Sequence, residues 1–153
     1  MARESAWRKQ ESEPITSFEG THRFLGNQWH MPVELDGRKY ASVEHAFQAA
    51  RTLDPKARQE IHASTYAVDA RRVASIFMER PGWSKMQMDV MRSLLSQKFA
   101  KGSRLADRLL ATGDADLVWT NHLSDSYWGV SKGVGENHLG RMLMSIRSEL
   151  ERG

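Results

Sequence analysis

Asp36-Gly37 sits between two three-residue runs, Val33-Glu34-Leu35 and Arg38-Lys39-Tyr40. Asp-Gly accepts positive φ at both central turn positions and so matches the twist of antiparallel strands, which predicts a tight β-hairpin. Ser42 follows almost at once and has the chemistry of a helix N-cap, predicting a helix over roughly 43 to 53. The chain must therefore pass from strand to helix across Ala41. Glu44, His45 and Gln48 are fixed at the start of that helix, directly beside the hairpin.

The other elements follow from local signals. Ile15 to Phe18 and His22 to Leu25, on either side of Gly20, read as short strands. Asp54-Pro55 interrupts the first helix and starts a second that runs to about Ala63. Ala70, Val73, Ala74 and Phe77 recur at helical spacing and predict a third helix over 67 to 79, ended by Arg80-Pro81-Gly82. Ser84 with Gln87 has capping-box spacing, and Met88, Met91, Leu95 and Phe99 make an apolar stripe up to Gly102. Ser103 starts another helix that Gly113 closes, and Leu117-Val118-Trp119 reads as a further short strand. Asn137 is the expected cap of the last helix, with Leu139, Met142 or Leu143, Ile146 and Leu150 on its core face. The sum is an α+β fold, a mainly helical single domain with a small antiparallel sheet.

A chain of 153 residues supports one domain with a substantial core. Residues 1 to about 14, charged and polar up to Pro14, read as a flexible N-terminal arm, leaving 15 to 153 as the domain. No apolar run approaches the roughly 20 residues that span a bilayer, and the N-terminus lacks a signal-peptide pattern. The absence of cysteine suits a reducing cytoplasm and excludes thiolate chemistry. A formal charge of +3 is compatible with anionic ligands. Lys85, Arg92, Lys98, Lys101, Arg104 and Arg108 form either a solvated helical face or a track for phosphates.

Two acid-bearing segments stand out, Ser42 to Gln48 and Asp125-Ser126-Tyr127-Trp128-Gly129. The second runs into Gly133-Val134-Gly135-Glu136-Asn137, which has the composition of a phosphate-holding loop that opens a helix. Glu44 is either one of an acid pair or a surface carboxylate that balances the helix dipole. Asp125 is either its partner or a turn former, and Trp128 a stacking surface or a core residue. The six histidines are scattered without metal-ligand spacing, so no metal site is expected, and no motif calls for a cofactor.

Gly37 to Arg51 with its Glu44-His45-Ala46-Phe47-Gln48, then Lys98-Phe99, Thr112-Gly113, Leu117-Val118, Tyr127-Trp128-Gly129 and Gly135 to Met144 resemble the NADAR, or YbiA-like, family in order and spacing. The resemblance covers nearly everything after Ile15. It differs at Gly26-Asn27-Gln28, where the family has serine-asparagine-phenylalanine, at Arg51, where it has lysine, at Trp119, where it has glutamate, and at Ser131, where it has glycine.

This resemblance implies an N-glycosidase that cleaves a bond between ribose and a nitrogen base or amine. The substrate would be ADP-ribose attached to a nucleobase such as guanine in DNA, or a phosphoribosylated intermediate of riboflavin synthesis. It implies Glu44, Asp125 and Trp83 as the catalytic set. Phe24, Asn27, His45, Gln48, Arg51, Lys98, Trp128, Gly129, Gly135 and Asn137 are the implied substrate-binding positions. Two other classes compete: a module that binds ADP-ribose or a nucleotide without cleaving it, and a basic nucleic-acid adaptor.

Overall fold

The structure is a computed structural model that describes residues 12–153. Most of the expected arm lies outside the described residues. Its end is tied down, since Ser12 Oγ donates to Asp114 Oδ1 at 2.6 Å and Ile15 N donates to Asp116 O at 2.8 Å.

The hairpin forms as expected, with β1 (Val33–Leu35) antiparallel to β2 (Arg38–Tyr40) in the register Val33 to Tyr40. Asp36 and Gly37 have φ of 49° and 81°, the two positive values this turn needs. Helix α1 (Val43–Ala50) begins at once. Its Ser42 cap accepts from His45 N, and all eight helical residues are buried. Helix α2 (Pro55–Ala63) starts with proline in its first turn and Asp54 capping Lys56 N and Ala57 N. Helices α3 (Ala67–Ile76), α4 (Trp83–Lys98), α5 (Arg104–Leu110) and α6 (His138–Arg152) follow.

α1 is the centre of the fold, packed against α2, α3, α4 and the hairpin, while α6 lies against α4 and α5. The core joins Phe47 of α1, Leu94 and Leu95 of α4, and Leu139 and Leu143 of α6. Burying this apolar surface, at roughly 25 cal/mol per Å², outweighs the weak propensity of so short a central helix. α4 also holds the hairpin edge. The Gln97 amide donates to Glu34 O at 2.8 Å and accepts from Glu34 N at 2.7 Å. No helix among the described residues is long and apolar enough to cross a membrane.

Five local expectations need correction. His22 to Leu25 is no strand but part of a 3-10 helix (Gly20–Leu25), which lets the adjacent Phe24 and Leu25 both enter the core. A strand would send them to opposite faces. The expected strands at 15–18 and 117–119 reduce to a single parallel bridge between Ile15 and Leu117. α3 stops at Ile76 because Arg80 N is taken by Arg51 O at 2.7 Å, drawing 77–80 into an extended return across the end of α1. α4 begins one residue before Ser84, so no Ser84 cap forms. Gly82, at φ 77°, makes the reversal and seats Trp83 in the core.

Candidate active site

A cleft of about 700 Å³ opens between α1, the start of α4, loop 26–30 and loop 119–128. It brings Glu44, Asp125, Trp83 and Trp128 to one space, with Asn27, Gln48 and Arg51 also on its walls.

Glu44 enters from the first turn of α1 and is 9% exposed. Gln48, one turn later, donates from Nε2 to Glu44 Oε1 at 2.9 Å, and Arg71 Nε of α3 stands 3.8 Å from the same oxygen. Glu44 Oε2 has no protein hydrogen bond among the described residues. Burial raises the Glu44 carboxyl above its ordinary 4.5, and the Asp125 charge adds to that rise. The Gln48 hydrogen bond and the Arg71 and Arg51 charges oppose it.

Asp125 is half-buried, and its Oδ1 accepts from Tyr127 N at 3.1 Å and Trp128 N at 2.8 Å. It is a turn former through one oxygen and a cleft acid at the same time. Asn121, which sequence reasoning did not single out, ties this loop. It donates to Asp125 O and accepts from Asp125 N and Leu123 N.

The aromatic wall is continuous. Phe47 lies between Trp83 and Trp128, with ring centroids 5.1 Å and 5.4 Å away. Trp119 and Trp29, both half-buried, also line the cleft. Asn27 Oδ1 is buried in the wall with no partner, an acceptor left open in a cleft. Arg23, exposed on the 3-10 helix, lines the same cleft and has no side-chain partner among the described residues.

Six residues expected to bind substrate do not line this cleft. His45 points away, bonded to Ser42 Oγ at 2.7 Å and Ser64 O at 3.0 Å. Phe24 is buried beneath the Arg108 guanidinium. Lys98 is fully buried and donates to Gly26 O at 2.7 Å, holding loop 26–30 from below. Burial pushes its ammonium down to about 7.

Gly129 and Gly135 are places of close backbone approach. A Cβ on Gly135 would lie 2.1 Å from Gly129 O, and one on Gly129 would lie 2.3 Å from Trp119 O. Asn137 stands in the N-cap position at φ 54°, yet its side chain makes no cap. It accepts from Trp119 N at 3.0 Å and donates to Leu117 O at 2.9 Å, which fastens the loop that carries Trp119 to the head of α6.

Among the described residues no group of histidines and acids is arranged to hold a metal ion. Sequence reasoning missed Arg71, Glu79, Arg23 and Phe47 as cleft residues. Only Phe47 carried a signal, as a large aromatic one turn after Glu44.

The NADAR domain family matches residues 6–151. The chain is 37% identical over 122 residues to the N-glycosidase YbiA of Escherichia coli, covering 78% of this chain and 76% of that protein. It is 33% identical over 144 residues to a riboflavin biosynthesis protein of Vibrio vulnificus, covering 91% of this chain but spanning only 39% of that longer protein. The NMR structure of E. coli YbiA superposes with a TM-score of 0.80 at 32% identity, covering 94% of this chain and 88% of that one. The chain belongs to the NADAR family.

Proposed function

We propose that this protein is a hydrolase that cleaves the N-glycosidic bond of a phosphate-bearing ribosyl substrate in the cleft around Glu44. The observation that carries this reading is the convergence of a buried carboxylate, Glu44, and a second acid, Asp125, on one cleft walled by Trp83, Phe47 and Trp128. Family membership and the relatives named N-glycosidase support the reaction class.

The chemistry follows from the charge that builds during the reaction. As the C1′–N bond breaks, positive charge develops on C1′ and the ring oxygen, and an ionised carboxylate beside the ribose stabilises it. Glu44 fits this part through Oε2, since Oε1 is engaged by Gln48. Water adds its oxygen to C1′ and loses one proton, while the nitrogen leaves with the bond pair and takes up a proton. Asp125 is the second acid available to orient that water. Trp83 or Trp128 offers a face for the leaving base, and Arg23 and Arg71 offer guanidinium groups to the phosphate. The open acceptor of Asn27 suits a ribose hydroxyl or an N–H of the base.

Two substrate classes fit these parts, ADP-ribose on a nucleobase and a phosphoribosylated riboflavin-pathway intermediate. The relatives with riboflavin names favour trying the second first. A cysteine-free chain suits action in the cytoplasm. Incubating the protein with each class and measuring released ribose phosphate or ADP-ribose tests the reading. Tight binding without release from either would instead make it a binding module.

A further inference from the structure

Glu44 is not held by its immediate surroundings alone. A line of polar contacts runs from the cleft rim inward. Glu79 Oε2 accepts from Arg51 Nη2 at 3.1 Å, Arg51 Nη1 donates to Gln48 Oε1 at 2.8 Å, and Gln48 Nε2 donates to Glu44 Oε1 at 2.9 Å. The geometry fixes the sense of the Gln48 amide. A guanidinium can only donate, so the Gln48 oxygen must face Arg51 and its NH2 must face Glu44. The same extended return that ends α3 early places Glu79 against Arg51, through the bond from Arg80 N to Arg51 O.

We propose that Arg51, anchored by Glu79, is a positioning residue that acts through Gln48: it orients the amide so that one oxygen of Glu44 is engaged and the other is left for the ribose. This rests on the proposed role of Glu44. It assigns Arg51 a place different from the direct substrate contact that the family resemblance implies. Arg51 is already committed at both Nη1 and Nη2, whereas Arg23 is free to meet an anion. Of the two links, the Glu79–Arg51 pair is the more exposed and therefore the weaker.

The two roles of Arg51 separate in kinetics. A positioning residue removed as Arg51→Met lowers kcat, on the order of tenfold, with KM changed by less than about twofold. Because Arg51 acts through Gln48, the double variant Arg51→Met with Gln48→Met should be little worse than Gln48→Met alone. Arg51→Lys keeps a donor and a charge and should recover most of the kcat, and Glu79→Gln should cost less than Arg51→Met.

A substrate-free readout runs beside these. Carboxyl carbon NMR follows the titration of Glu44, which also faces Arg71 of α3 and Asp125 of the loop. Losing the oriented donor should move that titration upward in Gln48→Met, and because Arg51→Met also removes a charge that lowers Glu44, its upward shift should be larger in the wild-type background than in the Gln48→Met background. The proposal is overturned if Arg51→Met raises KM and spares kcat, if the losses of the two single variants multiply in the double, or if Arg51→Met shifts the Glu44 titration equally with and without Gln48. Should the wild-type protein release no sugar from either substrate class, the proposed function falls, and the NMR titration alone decides the positioning role.

Discussion

Glu44 and Asp125 come from opposite halves of the chain and line one cleft, close enough that the charge of Asp125 raises the Glu44 carboxyl. Glu44 is set there by a helix start, and Asp125 by an Asx turn whose Oδ1 holds the backbone amides of Tyr127 and Trp128. One acid is therefore positioned by helix geometry and the other by its own loop. The pair invites tests that treat them differently.

The first concerns pH. Glu44 must be ionised to stabilise positive charge, and burial raises it above 4.5, so activity should fall as pH drops through a point above that value. The acid limb of kcat/KM reports this group in the free enzyme. Arg71→Gln removes a charge that lowers Glu44 and should move the limb upward. Asp125→Asn removes one that raises it and should move the limb downward. Identical limbs in both variants would mean that another group controls the profile.

A second prediction concerns stability. Lys98 is held near 7 in the folded protein against 10.5 when unfolded, so between these values the unfolded chain binds the extra proton. Stability should therefore rise with pH across that window, by up to about 1.4 kcal/mol per pH unit from this one group. Chemical denaturation of wild type and Lys98→Met at several pH values between 7 and 10 checks it. The variant should lose this part of the slope. Parallel curves would show that Lys98 is not buried as described.

A third test addresses the loop that frames the cleft. A Cβ on Gly140 would lie 2.0 Å from Leu117 O and within 2.6 Å of the Asn137 amide. Gly140→Ala should cost roughly 2 to 4 kcal/mol, since the head of α6 and the Leu117 loop must part. Gly133, at φ 77° with open space around it, should cost only about 1 kcal/mol as alanine. Thermal melts distinguish the two, and equal losses would contradict the close packing.

Much of this architecture is legible in the sequence. Asp36-Gly37 gave the hairpin, and Ser42, Asp54 and Ser103 marked three helix starts through side-chain caps that all form. These are local signals, complete within a few residues. Asn137 shows where that reasoning stops. Its position before a helix reads as a cap, yet its amide is spent on Leu117 and Trp119, residues that only the fold brings near. Arg71 and Glu79 were invisible for the same reason. Each looks like a surface charge on α3 or just beyond it, and only the packing of α3 on α1 turns them toward the cleft.

The most direct test of the central claim is the turnover of Glu44→Gln on whichever ribosylated substrate the wild-type protein cleaves. Glutamine keeps the shape and removes the charge, so release of the ribosyl product should fall by about 10²-fold to 10³-fold while the melting temperature and substrate affinity stay near wild type. Release at close to the wild-type rate from a folded Glu44→Gln protein would contradict the account, because the carboxylate placed beside the ribose would then not be the group that stabilises its charge.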